Sequence, residues 1–114
     1  MRSFTIVIFQ DQTEPDVWYG AVPAVRGVHS NGTTRDQALQ MTTLALEGTL
    51  ELFFELGLVI PPDLTNLEPA LAQIRDDFGL PDANFEMVQV DLSAVVRALS
   101  VFESEVSSFA TASG

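Results

Sequence analysis

The stretch TTRDQALQMTTLALEGTLELFFELG, residues 33–57, decides how this chain is read. Its spacing predicts one long amphipathic helix. Thr34 is a good N-cap, and Gln37 follows three residues later, where its side chain can reach back in a capping box. Gly57 comes after the last apolar turn and suits the left-handed position that closes a helix. Leu39, Leu46, Leu50 and Phe53 recur at helical spacing, and Met41, Leu44, Ala45, Leu52 and Leu56 form a neighbouring strip. An apolar arc this wide calls for a sheet beneath the helix and a second cover on one side. Gly48 stands in mid-helix at a cost of about 1 kcal/mol relative to Ala. Either a close approach to the sheet or a tolerated defect accounts for it.

Before the helix, residues 4–9 read as a strand with Phe4, Ile6 and Ile8 on one face and Val7 and Phe9 on the other. A strand apolar on both faces is a central strand covered twice. Gln10 to Asp16 is a polar loop, and Val17 to Val22 a second strand that Pro23 ends. Val25 to Ser30 reads as a short edge strand, and Asn31-Gly32 as the turn into the helix. Three short strands with short links should form an antiparallel meander.

After the helix, Thr65 and Glu68 suggest a second capping box, followed by a short helix carrying Leu67, Ala70, Leu71 and Ile74 and ended by Gly79. Residues 85–90 read as a fourth strand. A helical crossover favours a right-handed return to a parallel neighbour, which predicts a mixed sheet of order 3-2-1-4. Beyond it, Val95, Leu99, Phe102, Val106 and Phe109 make a regular helical seam. That seam either covers the second sheet face or joins chains, and pairing is the preferred reading. The expected organisation is an α+β domain over residues 1–93 and a C-terminal amphipathic helix and tail over 94–114.

The chain carries 16 acidic groups against five arginines and no lysine, a net charge of −11. The arginines are scattered and form no basic cluster, so direct nucleic-acid binding is not expected. A basic protein partner is, since opposite fields speed encounter. Acidity that merely keeps a small protein soluble is the competing account. There is no cysteine, hence no disulfide framework and no thiolate metal site. The N-terminal apolar run is too short for a signal peptide or a membrane span, and the chain reads as cytoplasmic.

A search for catalytic chemistry returns little. His29 is the one histidine and has no neighbour at ligand spacing. The glycines are not followed by the lysine of a phosphate loop. Asp11, Glu14 and Asp16 share one loop but lack the spacing and turn glycine of a calcium site. Their better use is contact with a basic partner, with Trp18 beside them as an aromatic anchor. No cofactor is called for.

The run Trp18-x-Gly20-x-Val22-Pro23-x-x-x-Gly27-Val28-x-Ser30-x-Gly32-Thr33 leads into a helix with Asp36-Gln37-Ala38-Leu39 and then Leu56-Gly57-x-x-Ile60-Pro61. Together with Val88-x-Val90-Asp91-Leu92-Ser93, this order of motifs resembles the HicB family of antitoxins from type II toxin–antitoxin systems. The resemblance covers roughly residues 4–93. It implies a partial ribonuclease-H-like β-β-β-α-β layer and a non-enzymatic protein that binds and neutralises a small basic HicA-type RNA-cleaving toxin. It also implies dimers or tetramers. Arg26 departs from the family, which usually has proline or a similar residue there, and the first loop carries Pro15 in place of an Asp-Gly turn. Many members continue into a DNA-binding module, whereas residues 94–114 are not basic. An orphaned oligomeric scaffold domain is the alternative. A residual hydrolase is disfavoured, because strand 1 carries no carboxylate and no set around Asp91 converges on a metal.

Overall fold

Four strands and two helices follow one another in the computed structural model, which describes residues 3–93. They are β1 (Ser3–Gln10), β2 (Trp18–Ala21), β3 (His29–Gly32), α1 (Arg35–Glu55), α2 (Glu68–Phe78) and β4 (Glu86–Asp91). The seam formed by Val95, Leu99, Phe102, Val106 and Phe109 lies outside the described residues.

The strands form one sheet of order β3-β2-β1-β4, as the two apolar faces of β1 require. Phe4, Ile6, Val7, Ile8 and Phe9 are all buried. Phe4, Ile6 and Ile8 meet Leu46 and Leu50 of α1 on one face, while Val7 and Phe9 meet Ile74 of α2 on the other. Each fully buried Leu or Ile of this kind contributes about 1.5–3 kcal/mol. The chain therefore has to pass from one face of the sheet to the other between the helices. It does so where β2 has run out: β2 pairs only with Val7–Gln10, leaving the first half of β1 without a strand on that side. Asp63, from the link between the helices, fills the gap. Its carboxylate accepts from the Thr5 backbone N–H at 3.1 Å and from the Thr5 hydroxyl at 2.7 Å.

The expected parallel pairing of β4 is not what forms. Every strand pair is antiparallel, with Ser3 opposite Asp91 and Ile8 opposite Glu86, so the sheet is not mixed. The handed-crossover rule describes one helix returning the chain to a parallel strand. Here α1, about 32 Å long at 1.5 Å per residue, carries the chain to the far end of the sheet, and the shorter α2 brings it back. β4 then starts where β1 finishes. An ion pair between Arg35, at the start of α1, and Glu86, at the start of β4, marks that shared end.

The helix termini follow their sequence signals with one exception. The Thr34 hydroxyl accepts from the Gln37 N–H, and the Gln37 side chain reaches back to the N–H and hydroxyl of Thr33. Gly57 adopts a φ of +68°, and the N–H groups of Gly57 and Leu58 bond the carbonyls of Phe54 and Phe53, closing α1 in a Schellman turn. Gly79 ends α2 in the same way. The exception is the proposed Thr65–Glu68 box. Helix α2 begins later, capped at Leu67 without a bond from the Leu67 side chain, and the Asn66 side-chain Oδ1 accepts from the Glu68 N–H instead.

Strand β3 is also shorter and later than the expected 25–30. Val22, Val25 and Val28 are buried, but their N–H and C=O groups bond to one another and close a compact turn. Their β-branched side chains suit a strand, while Gly27, at φ +92°, breaks it. Among the described residues, no helix is long and apolar enough to cross a membrane.

Gly20 and Gly48 have opposite roles. A Cβ at Gly20 would lie 2.0 Å from the Thr42 hydroxyl and 3.2 Å from the Ala38 carbonyl oxygen, so this is where α1 touches the sheet. At Gly48 a Cβ would meet nothing within 4 Å among the described residues. The close approach belongs to the glycine in the strand and not to the one in the helix. Gly20→Ala is therefore expected to destabilise the fold by about 1–3 kcal/mol through overpacking. Gly48→Ala should stabilise it by up to about 1 kcal/mol. Urea denaturation of the two variants beside the parent chain checks both signs.

Candidate functional site

The turn joining β1 to β2 holds the acidic residues singled out in the sequence. Its ends are tied by the Asp11 N–H donating to the Val17 carbonyl at 2.9 Å, and its middle by the Val17 N–H donating to the Glu14 carbonyl. Asp11 is the internal clamp of this turn. One carboxylate oxygen accepts from the Thr13 N–H at 2.8 Å, the Thr13 hydroxyl at 2.9 Å and the Glu14 N–H at 3.0 Å. The other accepts from the Tyr19 hydroxyl at 2.8 Å. These bonds hold the acid down at about 2, the backbone N–H of Thr13 contributing most and that of Glu14 next. The same contact raises the Tyr19 phenol.

The three acidic residues thus divide. Asp11 spends its charge inside the turn, whereas Glu14 and Asp16 are exposed at its tip. Trp18, at the root, is half-buried against the α1-side core. Tyr19 points to the opposite face and enters an aromatic cluster. Its ring lies 5.4 Å from Phe9 and 5.2 Å from Phe78, while Phe9 also meets Phe85 edge-on at 5.1 Å. The turn is therefore anchored to the core through one hydroxyl. Sequence reasoning grouped Asp11 with the displayed charges; the tyrosine eight residues on was the signal that it had a partner within the chain.

A second concave feature lies between α2 and the turn of residues 22–28. It is a cleft of about 600 Å³ whose lining includes Pro23, Arg26, His29, Ile74 and Phe78. His29 stands edge-on to Phe78 at 5.7 Å between ring centres. Among the described residues, no group of three or more His, Asp or Glu side chains is placed to hold a metal ion. Asp91 pairs with Ser3 at the opposite end of β1 from Asp11, roughly 24 Å away along the strand. One of its oxygens accepts from the Ser93 N–H at 2.9 Å. Among the described residues, the carboxylates a hydrolase of this fold would need do not converge.

The Asp11 contacts have a pH consequence. The folded-state pKa lies below the ordinary 3.8, so the carboxylate stabilises the fold above about pH 4 and loses that contribution as pH falls towards 2. Asp11→Asn is expected to flatten the dependence of melting temperature on pH across this window. A carbon-detected NMR titration of the parent should place the Asp11 midpoint near 2.

Comparison with known proteins bears on what carries this turn. No protein-family model matches the chain, and no curated protein matches it. Solved structures do. The N-terminal domain of the Burkholderia pseudomallei antitoxin HicB is 31% identical, with a TM-score of 0.55; the match covers 79% of this chain and 99% of that domain. The B. pseudomallei antitoxin HicB is 32% identical, with a TM-score of 0.57 over 83% of this chain, which spans 66% of that protein's length. At 31% identity over 99% of that N-terminal domain, the chain belongs to the HicB antitoxin family.

Proposed function

We propose that this chain is an antitoxin module that binds and neutralises a small, basic, HicA-like RNA-cleaving toxin, without catalytic activity or nucleic-acid binding of its own. The observation that carries the reading is the match to essentially all of the HicB N-terminal domain. The net charge of −11 supports it. A toxin that cleaves RNA must present cations to phosphates, and an acidic protein competes for that surface. The contact region is the tip of the acidic turn, where Glu14 and Asp16 are displayed and Trp18 offers a half-buried aromatic edge at the root. Asp11 contributes by holding the tip in one shape, so that less ordering entropy is lost on docking. The encounter takes place in the cytoplasm, where such a toxin meets its RNA.

Co-expression with the neighbouring small basic protein tests this. The expected outcome is restored growth and a complex of defined mass. Replacing Glu14 by Gln together with Asp16 by Asn should slow association several-fold at low salt and have little effect at high salt, as rim charges do. No growth rescue and no complex with the parent chain would overturn the proposal.

A further inference from the structure

The cleft between α2 and the turn of residues 22–28 has no part in the toxin contact set out above. Its volume of about 600 Å³ is that of a small-molecule site. Pro23 and Val28 lie on one wall, and Pro69, Ile74 and Phe78 on the other. Phe78 and His29 both line it, their ring planes 85° apart. A flat guest can therefore meet one ring by its face and the other by its edge, the two arrangements aromatic rings favour.

The charges of the cleft are not equally engaged. Arg26 springs from a turn fixed by its own backbone: the Val25 N–H donates to the Val22 carbonyl and the Val28 N–H to the Val25 carbonyl, both at 3.2 Å. Its side chain is exposed at the cleft and has no ion-pair or hydrogen-bond partner among the described residues. The other described arginines are occupied. Arg35 pairs with Glu86 and Asp36, while Arg75 donates to the Ala83 carbonyl and lies over Phe85. Asp77 stands on the α2 side of the cleft, where Gln73 donates to its carboxylate at 2.8 Å.

We propose that this cleft binds a small aromatic monocarboxylate, with the ring between the proline and aromatic walls and the carboxylate on the Arg26 guanidinium. A guanidinium takes a carboxylate through two parallel N–H···O bonds, which fixes the direction of the guest as well as its charge. The balance of charge selects a single negative group. Arg26 matches one, whereas a phosphate dianion would bring a second towards Asp77, on a chain that already carries −11. A neutral ring would fill the apolar walls and leave the guanidinium unmatched.

The test is a nitrogen–proton NMR titration of the full chain with naphthylacetate. Saturable shifts at the amides of Gly27, His29 and Phe78 are expected, with a dissociation constant of about 1 mM or below at low salt and weaker binding at high salt. Naphthylacetamide, of the same shape without the charge, should bind about fivefold more weakly. Naphthyl phosphate should bind no more tightly than the carboxylate. Arg26→Gln changes an exposed side chain with no partner in the fold, so the far-UV circular dichroism should stay as it is while acid and amide come to the same affinity. Arg26→Lys should keep part of the preference, and Asp77→Asn should strengthen it. Absence of shifts at the cleft, equal binding of acid and amide by the parent chain, or tighter binding of the phosphate would each overturn the proposal. So would shifts confined to the exposed apolar flank of α1 at Leu44 and Leu52. The titration uses the free chain, so its result is independent of toxin binding.

Discussion

A strand that is apolar on both faces has to be covered twice, and the architecture follows from that demand. The side chains of β1 point alternately into two separate cores, so α1 and α2 must lie on opposite sides of the sheet. A chain that has laid one helix on each side must have travelled around the sheet between them. The passage occurs at the one stretch of β1 that has no β2 beside it, where Asp63 accepts from both the backbone and the side chain of Thr5. A carboxylate there takes over hydrogen bonding that an adjacent strand would otherwise provide, and an unpaired buried N–H is avoided.

The same arrangement links core to surface. Phe9 is buried on the α2 side of β1, and Tyr19 stacks beside it on β2. The hydroxyl of Tyr19 then fixes Asp11, and Asp11 fixes the turn that displays Glu14 and Asp16. The acidic tip is thus a rigid outgrowth of the aromatic cluster. Arg75 is drawn into that cluster by lying 4.7 Å over the Phe85 ring, and Arg35 is engaged by Glu86 and Asp36, so neither offsets the turn's negative charge.

Much of this was legible in the residues themselves. The helix at 35–55, its Thr34 cap, its Gly57 stop and the strand order came from signals within a few residues of each feature. What escaped depends on contacts between residues far apart in the chain. Both helices were legible, but the direction of β4 is set by where they carry the chain relative to the sheet, and no local pattern encodes that. Val25 and Val28 have the β-branched side chains of a strand, yet with Val22 their backbone bonds close a turn in which Gly27 takes a positive φ. The Thr65–Glu68 pair has the composition of a cap but lies ahead of the first helical turn. Of the candidate site, the acidic turn was evident from composition. The separation of Asp11 from Glu14 and Asp16 was not, because it rests on the pairing that brings Tyr19 within reach.

The antiparallel β1–β4 pairing has a further consequence for how the domain can be joined to others. Ser3 lies opposite Asp91, so the points where the chain enters and leaves the sheet are neighbours at one pole. The acidic turn stands at the other pole, beyond Gln10. Among the described residues, the chain thus enters and leaves the sheet about 24 Å, the length of β1, from the turn. The described sheet thereby works as a spacer between that pole and the turn as well as a scaffold.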